Sequence, residues 1–123
     1  MAGQNLKGVP RLHAAWINSL SGLKAAWQHE EAFRLESVLL LPLAALAVWL
    51  GQTGVEKALL LGSLLMVIIT ELVNTAIEAA IDRIGPEQHE LSKRAKDLGS
   101  AAVTAALALA LLIWILILMY RGN

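Results

Sequence analysis

Cysteine is absent from the 123 residues, which excludes disulfides, thiolate nucleophiles and cysteine-based zinc sites together. Proline occurs three times, and phenylalanine and tyrosine once each. Only 16% of the residues are charged, and Lys+Arg balances Asp+Glu at ten each, so net charge gives no reason to expect nucleic acid as a partner. No glycine-rich phosphate loop of Walker A form is present. A nucleotide, if bound, must therefore be held by side chains and a metal. His29-Glu30 and His89-Glu90 each lack the second histidine of a zincin motif, and that reading is rejected. The polar segment from Met1 to Pro10 has no signal-peptide apolar region or cleavage site, so the chain is expected to enter a membrane by its own spans.

What the chain does have is apolar length. Hydrophobic residues make up 57% of it, beyond the share of ordinary soluble domains. Leu98 to Tyr120 carries no charge, and at about 1.5 Å rise per residue it exceeds the roughly 30 Å hydrocarbon core of a bilayer. Ala58 to Ile81 is as long, interrupted in its last third by Glu71, Asn74 and Glu78. Ser37 to Gly51 is apolar but short and contains Pro42; its two neighbours argue that it also spans. Ahead of it Leu12, Trp16, Leu20, Leu23 and Trp27 recur every three or four residues among polar ones, the pattern of a helix lying in the membrane interface.

The expected fold is an all-α integral membrane protein in one domain, residues 1–123. An interfacial amphipathic helix over 6–35 precedes transmembrane helices over 36–51, 57–83 and 97–120, with a cytoplasmic loop over 84–96. Gly85-Pro86 marks the end of the middle span. Lys7, Arg11, Lys24 and Arg34 lie before the first span, and Arg83, Lys93, Arg94 and Lys96 follow the second, whereas the other side has only Lys57 and Arg121. By the distribution of basic residues in short loops, the N-terminus is cytoplasmic and the C-terminus lies outside. Small residues four apart in the last span, such as Ser100 with Thr104 and Ala102 with Ala106, allow close helix approach and favour homo-oligomers.

The chemistry sits in the middle span. Glu71, Asn74, Glu78 and Asp82 fall within about 80° of helical arc, one polar stripe on an apolar helix. An acid within a span costs on the order of 2 to 3 kcal/mol on insertion scales, which makes such a stripe a functional hypothesis by default. Asp82 lies at the boundary and Glu71 roughly 16 Å deeper, a gradient suited to a reaction between a water-borne substrate and a lipid. Glu78 can hold a hard cation such as Mg²⁺, with Glu30 as a second carboxylate, and Glu71 has the position of a general base. His89, Lys93, Arg94, Lys96 and Asp97 crowd the expected cytoplasmic surface, where basic groups meet phosphates and equally serve the orientation rule.

The string ELVNTAIEAAIDR, Glu71 to Arg83, resembles the signature of the prokaryotic diacylglycerol kinase family. HELSKRAKDLGSAAV, His89 to Val103, resembles that family's second block, and GLKAAWQHEEAFRLE, Gly22 to Glu36, its N-terminal block. The resemblance implies a homotrimer in the bacterial inner (cytoplasmic) membrane, with active sites shared between subunits and a periplasmic C-terminus. It implies transfer of the ATP γ-phosphate to the primary hydroxyl of diacylglycerol, giving phosphatidic acid with Mg²⁺ as cofactor. By position, Glu71 is then the catalytic base supported by Asn74, and Glu30 and Glu78 hold the metal. Arg11, Glu87, His89, Lys96 and Asp97 contact the nucleotide. Lys24, Ala25, Trp27, Ala32, Arg34, Glu36, Trp49 and Ser100 line the lipid side.

Other readings share these features. Undecaprenol or another lipid alcohol is an alternative acceptor. A small proton-coupled transporter also uses intramembrane carboxylates, though nearer the bilayer midplane. A non-catalytic membrane scaffold would need only the small-residue faces.

Overall fold

The computed structural model describes residues 5–121, so part of the Met1 to Pro10 segment lies outside it. Four helices follow one another: α1 (Val9–His29), α2 (Glu31–Leu50), α3 (Gly54–Ile84) and α4 (Glu90–Tyr120). Among the described residues there is no strand. Helices α2, α3 and α4 are each long and apolar enough to cross a membrane. With 31 residues apiece, α3 and α4 run about 46 Å, well past the roughly 30 Å hydrocarbon core. Their polar ends at the α3–α4 turn have length enough to reach beyond it.

Local chemistry sets the boundaries. Pro10 opens α1, where a missing N–H costs nothing. The helix stops at Glu30, a single extended residue that is the last cap of α1 and the first of α2. Helix α1 is therefore shorter than the expected 6–35, and residues 31–35 belong to α2. Nothing between His29 and Phe33 is a helix breaker by type. The break is held instead by Arg34, whose Nη1 donates to the Trp27 and Gln28 carbonyls at 2.7 and 3.3 Å. Those carbonyls belong to the last turn of α1 and have lost their helical partners.

At the other end, Thr53 caps α3: its Oγ1 accepts from the Glu56 N–H at 3.1 Å, while its hydroxyl reaches Glu56 Oε2 at 3.4 Å. This Thr-x-x-Glu arrangement has the sequence of a capping box, with the Glu56 carboxylate on the Thr53 hydroxyl in place of the Thr53 N–H. Helix α3 ends at Gly85 with φ +156°, a conformation that disfavours any residue with a Cβ. Helix α4 starts at Glu90, not near 97, because His89 caps it: Nδ1 accepts from the Leu91 N–H at 3.0 Å. Lys93–Asp97 at 2.6 Å and Arg94–Glu90 at 3.2 Å brace its first turns. The expected loop over 84–96 thus shrinks to five residues, 85–89, between α3 and α4.

Helix α3 is the centre of the bundle, packed chiefly on α4 and secondarily on α2. Its half toward Thr53 is the dry part, with Leu60, Ser63 and Val67 buried. Ser63 Oγ donates to the Leu60 carbonyl at 2.7 Å and accepts from Trp114 Nε1 of α4 at 3.0 Å. Small residues Ala47 of α2 and Ala106 of α4 are buried as well, as close approach between spans requires.

Candidate active site

The last third of α3, toward Gly85, has the opposite character. Glu71, Asn74 and Glu78 are half-buried on one face, and Asp82, at the helix end, is exposed. Asn74 Nδ2 donates to Glu78 Oε1 at 3.3 Å, one turn on. Across the interface with α2, the carboxyl groups of Glu36 and Glu71 meet, and Glu78 and Glu30 are the next charges around Glu71. Four carboxyl groups from three segments (Glu30 at the α1–α2 break, Glu36 on α2, Glu71 and Glu78 on α3) therefore face one region.

Their partners matter as much as their positions. The ion pairs among the described residues are Lys93–Asp97, Arg94–Glu90 and Lys96–Asp82. None involves these four acids. One oxygen of Glu36 and Oδ1 of Asn74 are buried without a hydrogen-bond partner. Uncompensated acids in a partly dry setting are costly unless a cation or a proton arrives. Among the described residues no three His, Asp or Glu side chains close around a point as a complete ion cage. A hard cation held here would take protein oxygen from one or two carboxylates and the remainder from water or phosphate.

Two cavities flank the acids. Between α1 and α3, a space of about 700 Å³ is lined by small residues, Gly22, Ala25, Ala26, Ala76 and Ala79, with Glu30 at its edge. Between α2, α3 and α4, an apolar space of about 410 Å³ runs from Glu36 to Trp114 along Leu40, Val67 and Leu107. Glu36 is its sole charged lining residue. A third, polar cavity of about 300 Å³ lies at the α3–α4 turn and is lined by Asp82, Glu87, His89, Lys93, Lys96 and Asp97 among others. Lys96 Nζ donates to Asp82 Oδ1 at 2.9 Å, joining the two helices across it. That hydrogen bond, followed by the Asp82 charge, raises the Lys96 pKa above the usual lysine value. The ammonium stays charged at neutral pH.

The structure thus brings Glu30, Glu36, Glu71, Asn74 and Glu78 together, and groups Glu87, His89, Lys96 and Asp97 around the turn. Of the other sequence candidates, Arg11 and Trp49 stand away from both groups. Arg11 is in the first turn of α1, nineteen residues before Glu30 and so roughly 28 Å along the helix. Trp49 is at the far end of α2, 78% exposed, roughly 20 Å of helical rise from Glu36. Lys24, Ala25, Trp27 and Ala32 are exposed around the α1–α2 break, and Ser100 is exposed on α4. Arg34 is engaged with the α1 carbonyls. Sequence reasoning missed Gly99, which is buried against Asn74; a glycine inside an apolar span was the available signal.

Comparison with known proteins adds an independent finding. Residues 17–118 match the family model described as prokaryotic diacylglycerol kinase. The chain is 46% identical over 114 residues to a diacylglycerol kinase of Escherichia coli (strain K12), covering 93% of each chain. It is 48% identical over 107 residues to one of Haemophilus influenzae, covering 87% of this chain and 91% of that one. A Pseudomonas aeruginosa diacylglycerol kinase is 44% identical over 115 residues, 91% of each.

Proposed function

The chain belongs to the prokaryotic diacylglycerol kinase family, and from that premise we propose an ATP-dependent, Mg²⁺-assisted reaction carried by the acidic face of α3. It is a membrane protein and a lipid kinase acting on diacylglycerol. The proposed product is phosphatidic acid. A bond forms between the primary hydroxyl oxygen and the γ-phosphorus, the bond from that phosphorus to the β,γ-bridging oxygen breaks, and the hydroxyl proton leaves to a carboxylate. The single observation carrying this assignment is the convergence of four carboxyl groups, none of them in an ion pair among the described residues, at the polar end of an apolar bundle.

Glu71 is the proposed base. It lies deepest in the stripe, next to Glu36, which heads the apolar cavity of α2–α4. An acyl chain in that cavity brings its glycerol hydroxyl to these two acids. Phosphoryl transfer asks mainly for positioning and charge neutralisation, and Glu71 needs only to accept one proton. Glu30 and Glu78 fit Mg²⁺ by donor type: hard carboxylate oxygens, without a basic partner among the described residues and too few for a closed cage. When bound, the ion supplies neutralisation of the phosphate oxygens. Asn74 fixes one oxygen of Glu78, leaving the other free to ligate. Lys96 and His89 at the α3–α4 turn are proposed to meet the triphosphate; Nε2 of His89 remains available because Nδ1 caps α4. Arg11 reaches such a site only from a neighbouring copy, in keeping with a homotrimer that shares its sites.

The proposed setting is the bacterial inner membrane, with α1 and the α3–α4 turn on the cytoplasmic side and Arg121 on the periplasmic side. Basic residues near the α1 and α3–α4 ends support it. The test is transfer of labelled γ-phosphate by purified protein in mixed micelles, with diacylglycerol and undecaprenol in parallel. Mg²⁺-dependent labelling of diacylglycerol is expected. Labelling of undecaprenol alone would reassign the acceptor, and labelling of neither would remove the reaction.

A further inference from the structure

Asn74 makes its hydrogen bond to Glu78 from an unusual seat. Its Oδ1 is buried and accepts from no conventional donor, yet burial of an amide oxygen without a partner is costly. What it faces is the backbone of α4. A Cβ added at Gly99 would collide with Asn74 Oδ1 and stand 3.3 Å from Asn74 Cγ and 3.6 Å from Ile77 Cδ1. The oxygen thus occupies the space a side chain would take and faces the Gly99 Cα–H, a weak donor common between closely packed helices. Gly99 itself is buried and lies in the middle of a helix with no turn to make, so backbone freedom does not account for it.

We propose that Gly99 is a positioning residue of the cation site, seating Asn74 so that its Nδ2 reaches Glu78. The amide is planar, so Oδ1 and Nδ2 move together. The contact to Glu78 Oε1 is 3.3 Å, already at the long limit for N–H···O bonding. Displacement of Oδ1 by a methyl group at position 99 therefore shifts Nδ2 from its place against Glu78. Glu78 then loses the group that fixes its carboxylate. Residues that orient a ligand in this way typically change metal affinity by about 10- to 100-fold when altered. The inference rests on the reading of Glu78 as a cation ligand, while the Gly99–Asn74–Glu78 coupling is geometric and can be measured without it.

The experiment compares G99A, N74A and the G99A/N74A double variant, with A106S as a packing control on the same helix. Two quantities are read: Mn²⁺ binding with a non-hydrolysable ATP analogue, from the free-ion EPR signal, and the Asn74 side-chain amide peak in a nitrogen–proton NMR spectrum. G99A is expected to weaken Mn²⁺ binding about tenfold and to move the Asn74 peak. The double variant should bind no more weakly than N74A alone, and A106S should match the wild type. An unmoved Asn74 peak, unchanged Mn²⁺ affinity in G99A, or losses that multiply in the double variant would overturn the proposal. If G99A does not fold, recovery of folded protein in G99A/N74A supports it, and failure of both overturns it. Failure of the kinase reading would show separately, as absent phosphate transfer by the wild type.

Discussion

The two halves of α3 are built for different tasks on one continuous helix. Toward Thr53, its buried face is Leu60, Ser63 and Val67, with Ser63 bonded to Leu60 and Trp114 and Thr53 to Glu56, and one Glu56 oxygen is left buried without a partner at the helix end. Toward Gly85, Glu71, Asn74 and Glu78 are half-buried, and Asn74 keeps an unpartnered oxygen. A bundle whose spans are held by close packing in one half can tolerate uncompensated polar groups in the other. In the proposed reaction those groups serve a cation and a substrate. Stability and chemistry are separated by position along the helix.

Substitutions that respect this division should give opposite signatures. The largest effect is expected from E71Q, with turnover lowered at least 100-fold while the folded fraction is unchanged; near-normal turnover would remove Glu71 as the base. E56Q, at the other end of α3, should retain activity because the Thr53 cap accepts from the backbone N–H of residue 56 and Gln is an equally suitable third residue of the helix. Next, E78Q should raise the half-saturating Mg²⁺ concentration about 10- to 100-fold, read from initial rates across a magnesium titration. L60A should destabilise the bundle by about 2 kcal/mol or more through an unfilled cavity, measured by reversible unfolding in mixed micelles, with turnover of the folded fraction near that of the wild type. The smallest effect is expected from S63A: loss of the Trp114 hydrogen bond at about 0.6 kcal/mol, the average for interhelical bonds in a membrane. A tenfold fall in the turnover of folded L60A or S63A would erase the distinction between the halves.

Much of this is written in the chain because the relevant signals are local. Uncharged length forces α4, and spacing alone puts Glu71, Asn74 and Glu78 on one face of α3. The break at Glu30 is not legible, since His29-Glu30-Glu31-Ala32-Phe33 contains neither glycine nor proline; it depends on Arg34 folding back on α1. The start of α4 is hidden in a run that reads as a charged loop. There His89 supplies the cap, and ion pairs four residues apart organise the charges. The pairing of Glu36 with Glu71 and of Gly99 with Asn74 crosses helices, and interhelical register is set by packing over the whole bundle. No short segment encodes it.

The central claim is that nucleotide and cation meet the chain at the acidic end of α3. It is tested most directly by paramagnetic broadening from Mn²⁺ bound with a non-hydrolysable ATP analogue. Resonances of Glu30, Asn74, Glu78 and Lys96 should broaden, while those of Thr53, Ser63 and Trp114 stay sharp. Broadening centred on the Thr53 end, or spread evenly along α3, would contradict it.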